Sequence, residues 1–209
     1  MVQRQSPQIS SRKEPKQARA NDLVAAVLDA AVQVLRTEGA ARFTTARVAE
    51  RAGVSVGSLY QYFPNKAAIL FRLQSDEWRQ TSGLLTSILT DRARPPLERL
   101  RSLTHAFLHS ECAEAEVRIA LGDATPLYRD APEADEIRAA SSRIFHDFMR
   151  ETLPDADSRT VELVADLIEA TLRQVGSSFS ETPRSDEEIA AYADRMADMF
   201  AAYLSTIVE

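Results

Sequence analysis

The sequence predicts an all-α fold, and three observations carry that expectation. Ala, Leu, Glu, Asp and Arg dominate the composition, while Gly totals six and β-branched runs are short. Apolar residues recur at the spacing of a helix face rather than alternating as on a strand. Prolines at 95–96, 126, 132, 154 and 183 cut the second half of the chain into intervals of helix length. With 209 residues and 44% apolar content, the chain can bury a real core as one large domain or two small ones.

The first helix reads from Asn21 or Asp22 as its N-cap to Gly39 as its end, with Leu23, Val27, Ala30, Ala31, Val34 and Leu35 on the buried face. Its role is structural, packing on the pair of helices that follows and fixing their angle. That pair lies in FTTARVAERAGVSVGSLYQYFPNKAAIL, residues 43–70. Thr44 or Thr45 caps its first helix, because a side-chain oxygen there accepts from otherwise unpaired N–H groups. Val48, Ala49 and Ala52 form an apolar face, and Gly53 allows the left-handed conformation that ends a helix. Val54 is expected as the buried plug of the turn, and Ser55 as the cap of a second helix over 56–63, with Leu59 and Phe63 turned inward. Pro64 and Asn65 stop it. Two short helices across a tight turn make a helix-turn-helix, whose second helix enters a DNA major groove.

Beyond Lys66 the apolar spacing predicts a long helix over 67–92, with Leu70, Leu73, Trp78, Leu84, Leu85, Ile88 and Leu89 on its apolar side and Gly83 inside it, where glycine weakens or bends a helix. Further helices are expected over 97–113, 114–122 and 133–153, then from Asp157 or Ser158 to 179. The last spans 185–208 and opens on Ser185 with Glu188 three residues on, a capping box.

The helix-turn-helix stretch resembles the TetR family of bacterial transcriptional regulators. The residues that carry the resemblance are Thr44-Thr45, Val48-Ala49, Ala52-Gly53-Val54-Ser55, Leu59-Tyr60, Tyr62-Phe63, Lys66 and Leu70. With the helix before it, the likeness covers Asn21 to Phe71, about a quarter of the chain. It implies three helices of a DNA-binding domain, residues 21–66, followed by a six-helix ligand-binding and dimerisation domain, residues 67–209. It also implies that Tyr60, Tyr62 and Lys66 clamp phosphates, setting register without reading sequence. Thr45, at a helix N-terminus, caps and also donates to phosphate. For base readout, Gln61 suits adenine, Ser58 either groove edge and Val56 a thymine methyl, while Gly57 allows close backbone approach. Family members often carry a basic or longer polar side chain at the positions of Ala46, Val56 or Gly57; this sequence does not, so DNA shape gains weight. Arg47 and Arg51 read equally as a solvated face or as phosphate contacts.

One recognition helix reads only a few base pairs, so a homodimer on a palindromic operator is expected. As in the family, the dimer surface should come from the last two helices, through Val164, Ile168, Val175, Met196, Phe200 and Tyr203; ordinary intramolecular core is the other reading of the same stripes. An apolar effector pocket is expected from Trp78, Leu103, Phe107, His109, Phe145, Met149 and Leu172, for which plain core is again the competing reading.

Charge distribution supports the DNA reading. Through residue 66 there are ten Lys and Arg against five Asp and Glu; beyond it there are fifteen against twenty-six, for a whole-chain net of -6. A basic first third on an acidic body suits a module that docks on phosphate. Residues 1–20 hold Arg4, Arg12, Lys13, Lys16 and Arg19 against Glu14 and read as a disordered basic arm, or else an inert tail. A cytoplasmic setting is expected: no apolar run is long enough to span a bilayer, the N-terminus lacks a signal-peptide core, and the single Cys112 cannot pair internally.

No nucleophile motif or phosphate-cradling glycine loop occurs, so no enzyme and no cofactor are expected. His105, His109 and Cys112 fall at i, i+4 and i+7, with Glu116 one further turn on. Such spacing can bind zinc or pair a thiolate with an imidazole, although a partly buried polar face is the reading adopted and no metal is assigned. The function expected is a homodimeric DNA-binding regulator, a repressor released by a small apolar effector. The alternatives are a metal- or redox-responsive regulator using His105, His109 and Cys112, or a regulator whose C-terminal domain binds proteins and no ligand.

Overall fold

The computed structural model describes residues 18–113, 115 and 132–208. Among the described residues there are eight α-helices, one short 3-10 turn and no strand. The predicted helix over 114–122 lies, apart from Ala115, outside the described residues, as does the predicted arm up to residue 17.

The chain divides into two compact units; the first takes in the residues up to Glu77, and the second Trp78–Ala115 and Asp135–Glu209. In the first unit, α1 (Ala18–Glu38) begins earlier than expected. Asn21 and Asp22 are exposed residues inside the helix rather than its cap, and Ala18 to Ala20 of the predicted arm are helical. The alanines at 18 and 20 favour helix and carry it back past Asn21. Gly39, at φ 74°, ends α1, its N–H donating to the Leu35 carbonyl.

A 3-10 turn (Ala40–Arg42) leads to α2 (Thr45–Arg51), then α3 (Val56–Tyr60). Thr44 caps α2 by accepting from the Arg47 N–H, and Ser55 caps α3 by accepting from the Ser58 N–H. Gly53 takes φ 66° in the turn between them. Phe43, Val48, Ala49, Leu59 and Phe63 are fully buried, and α1 packs on α2 and α2 on α3. Val54 is only half-buried, because those larger side chains already close the centre. The second helix is also shorter than the predicted 56–63. After Tyr60 the backbone tightens to i→i−3 bonds, from Gln61 to Ser58 and from Tyr62 to Leu59, before the Phe63 N–H closes on the Leu59 carbonyl, and the residue before Pro64 is disfavoured in the helical conformation.

Helix α4 (Lys66–Leu89) is one continuous element that belongs to the first unit through Glu77 and to the second from Trp78. Asn65 caps it, its side chain accepting from the Ala68 N–H at 2.9 Å. Ala67 to Phe71 are all buried, whereas Leu84, expected on the apolar side, is exposed. Gly83 has open space around it.

The second unit adds α5 (Pro96–Ala113), α6 (Pro132–Thr152), α7 (Ser158–Phe179) and α8 (Asp186–Val208). Helix α5 packs against both α7 and α8. One apolar cluster fills the centre, including Leu100, Leu103, Leu108, Phe145, Met149, Leu153, Val164, Ile168, Leu172, Met196 and Phe200. Gly176 admits the Phe107 ring: a Cβ there would lie 2.6 Å from a ring carbon, so any side chain would push α5 off α7.

A charged residue is sealed into this unit. Arg99 is 1% exposed. Its Nη1 donates to the Leu89 carbonyl at 2.5 Å, its Nη2 to Glu151 Oε1 at 2.5 Å, and its guanidinium sits 5.2 Å from the centre of the Phe148 ring. It therefore satisfies an orphan carbonyl at the end of α4 and pairs with the end of α6.

Four carboxyls here are held below the usual range by their native partners. Glu151 is lowered first by the hydrogen bond from Arg99, Asp157 by the Thr160 N–H, Glu188 by the Ser185 N–H and Asp194 by the hydrogen bond with His105. The reciprocal bonds of Ser185 and Glu188, at 2.8 and 3.2 Å, form the capping box read from the sequence. Each group binds a proton less tightly folded than unfolded, so its stabilisation is complete above the unfolded pKa and is lost as pH falls through the folded one. Thermal unfolding should therefore hold steady from neutral pH downward and then fall below about pH 4. An unfolding temperature that rose on going from about pH 5 to about pH 3 would contradict this linkage.

Candidate nucleic-acid interface

The residues expected to meet DNA occupy the outer side of α2, α3 and the start of α4. Leu59 and Phe63 face the core, so the 100° step of a helix turns Gly57 and Gln61 to the opposite side, with Tyr60 and Ser58 flanking them. Val56 is 40% and Tyr60 39% exposed; Gly57, Gln61 and Lys66 are exposed, and Thr45, Ser58 and Tyr62 are half-buried. The eight candidate residues thus lie in one module, on or beside its short third helix.

The hydroxyls are paired in a way the sequence did not disclose. The Thr45 and Tyr60 hydroxyls lie 3.1 Å apart and so join the start of α2 to the end of α3. The Ser55 and Ser58 hydroxyls lie 2.8 Å apart, and Ser55 also receives the Ser58 N–H at 3.0 Å. Arg47 forms an ion pair with Glu38, and Arg51 donates to Gln33 Oε1 at 3.4 Å, so both arginines turn back to α1. Lys66 is different. It stands in the first turn of α4, which holds no acidic residue, where the helix dipole disfavours a cation.

In the second unit the structure sorts the remaining candidates. Leu103, Phe145, Met149 and Leu172 meet in the closed core with Phe107 against them, while Trp78 is half-buried and His109 exposed. A groove between α6 and α7 is lined instead by Ala139, Ser142, Asp166, Glu169, Ala170 and Arg173. Charged groups line it, with Glu169 accepting from Arg173 at 2.5 Å and from Ser142 at 3.2 Å, so it is no apolar site.

His105 is bound to Asp194, which Arg101 also contacts, and Cys112 packs against the core. Among the described residues no three His, Cys, Asp or Glu side chains are placed to hold a metal. Of the expected dimer residues, Val164, Ile168, Met196 and Phe200 are buried inside one copy, and Val175 and Tyr203 are half-buried. The exposed large apolar residues on these helices are Leu163 and Leu167 on α7 and Tyr192 and Met199 on α8. Tyr192 and Met199 lie on the apolar stripe read for the last helix, but sequence reading missed Leu163 and Leu167 as surface residues although Leu163, Leu167 and Ala170 keep helical spacing, because the stronger stripe on the far side of α7 claimed the pattern. No described helix is long and apolar enough to cross a membrane.

An all-helical chain with a capped helix-turn-helix ahead of a separate helical unit defines a class: helix-turn-helix regulatory proteins. Residues 27–73 match the model of bacterial regulatory proteins of the tetR family, and residues 95–207 match the tetracyclin repressor-like C-terminal domain. The chain belongs to the TetR family, as a transcription regulator with a DNA-binding helix-turn-helix.

Among relatives, it is 35% identical over 120 residues to the nucleoid occlusion factor SlmA of Vibrio campbellii, covering 56% of this chain and 60% of that one. It is 28% identical over 141 residues to the transcriptional repressor KstR of Rhodococcus jostii, covering 66% and 65%. The chain thus spans under two thirds of the length of these relatives. The fold is similar to that of the fatty acid degradation regulator FadR of Bacillus halodurans, with a TM-score of 0.67 at 18% identity over 90% of this chain and 96% of that one. FadR of Bacillus subtilis, solved in complex with stearoyl-CoA, gives 0.65 at 18% identity over 84% and 96%.

Proposed function

We propose that the protein represses transcription as a homodimer on a palindromic operator and is released by a small apolar effector. The observation that supports this most is the outer side of α3. There an amide and a bare glycine stand opposite the buried Leu59 and Phe63, with Tyr60 flanking them and the exposed Lys66 at the start of α4. The Thr45, Tyr60, Tyr62 and Lys66 side chains hold phosphates, and Val56, Gly57, Ser58 and Gln61 face the bases. Two copies meet through Leu163 and Leu167 of α7 and Tyr192 and Met199 of α8, exposed apolar side chains that a second copy would cover.

The continuous helix α4 begins at the end of the DNA-binding domain, residues 21–66, runs into the helical remainder, residues 67–209, and carries the effector's signal. An effector displaces the operator only through its preference for the form that cannot bind it. The related fold that holds stearoyl-CoA in Bacillus subtilis FadR supports an acyl-like effector. A second reading, constitutive DNA binding without a ligand, draws on the closed packing of Leu103, Phe145, Met149 and Leu172. An unfolding temperature unmoved by a panel of fatty acyl ligands would favour it.

Selection of bound duplexes from a randomised pool tests the main reading. A palindrome should be enriched. Tyr60→Phe and Lys66→Ala should weaken binding evenly across sequences, with Lys66→Ala lowering the salt slope by about 1. No enrichment at moderate salt would sink the proposal.

A further inference from the structure

We infer that Gly57 and Gln61 are the specificity pair of the recognition helix and that Gln61 selects an A·T pair in each half-site; the inference rests on the DNA-binding reading above. Three observations lead there.

First, three other polar side chains of this module are engaged within the protein, Ser58 with Ser55, Tyr60 with Thr45 and Arg47 with Glu38, while Tyr62 and Lys66 are assigned above to phosphates. Among the described residues the exposed Gln61 amide has no hydrogen-bond partner, and it carries both a donor and an acceptor. That combination matches the N6 donor and N7 acceptor that adenine shows in the major groove. Guanine presents two acceptors there and cytosine a donor, so neither takes both bonds from one amide.

Second, Gly57 lies one helical turn before Gln61, on the same face. Its φ is not positive, and a Cβ built on it meets only the Ser55 hydroxyl oxygen, at 3.8 Å. The protein's own packing therefore does not require glycine at this place. Glycine in a helix costs stability relative to alanine, so its presence here points outward, to a surface that comes closer than a methyl group allows.

Third, α3 is only five residues long, so a short side chain such as Gln61 at its C-cap reaches a base edge only if the helix seats deeply. A bare Gly57 lets it do so.

The test is duplex selection with the wild type, Gln61→Ala, Gln61→Glu and Gly57→Ala, with an unfolding temperature for each. All three substitutions are at exposed positions, and each variant should remain folded. The wild type should enrich half-sites with an invariant A·T pair. Gln61→Ala should erase the preference at that one pair and leave the others, with about tenfold weaker binding. Gln61→Glu should move that pair toward C·G, since a carboxylate accepts from the cytosine amino group. Gly57→Ala should raise the unfolding temperature by a few degrees (~2 °C) while weakening operator binding about tenfold, opposite signs that a structural role would not produce. A palindrome whose every position is unchanged by Gln61→Ala, or a changed position that is G·C, would overturn the inference while leaving the DNA-binding reading intact. No palindrome at all would overturn both.

Discussion

Replacing Arg99 with alanine is expected to destabilise the second unit by about 3 kcal/mol. The change empties the volume of a large, fully buried side chain and strips the Leu89 carbonyl of its donor. Glu151 loses the hydrogen bond that holds its carboxyl below the usual range, but it keeps access to water and stays hydrated. Arg99→Met should cost much less, about 1 kcal/mol, because it refills the space and buries no charge. Glu151→Ala should be the more harmful change at the pair, since it leaves the sealed guanidinium without its anion. Urea unfolding of the three variants checks this order. Arg99→Met as damaging as Arg99→Ala would show that charge rather than volume dominates the site.

Substituting Leu163 and Leu167 together with glutamate is expected to give a folded protomer that does not dimerise. Leu163 is 61% and Leu167 52% exposed, so neither supports the protomer's core, and the helix tolerates glutamate at both. Four carboxylates brought together across a two-fold axis would oppose association. Sedimentation should report a monomer with an unchanged unfolding temperature at low concentration. Operator affinity should fall about a hundredfold, because the second recognition helix no longer binds as part of the same molecule. A double variant that stays dimeric would move the interface elsewhere, with Tyr192 and Met199 as the next surface to examine.

Local signals were legible because their physics is local. Thr44 and Ser55 cap α2 and α3, Gly53 turns between them, and Ser185 with Glu188 opens α8, each set by hydrogen bonds that span three or four residues. The inward turn of Leu59 and Phe63 followed from helical spacing, and with it the outward turn of Gly57 and Gln61. Where the same local rules gave two answers, the reading slipped. Asn21 is a good cap, yet α1 runs through it because the alanines before it favour helix as well. The recognition helix stops at Tyr60, where i→i−3 bonds take over, rather than at Phe63 just before the proline.

What the sequence by itself determined is the all-α class, the helix-turn-helix and the residues that stand on its outer side, since periodicity and caps need no distant partner. Only the tertiary structure decided which of two apolar stripes on α7 is core and which is surface, and that Arg99 is sealed against Glu151, 52 residues away. It also decided that Arg47 is spent on Glu38 while Lys66 is left at the start of α4. These are pairings between elements. A helix pattern shows that a residue lies on a face, but what covers that face depends on where another helix falls.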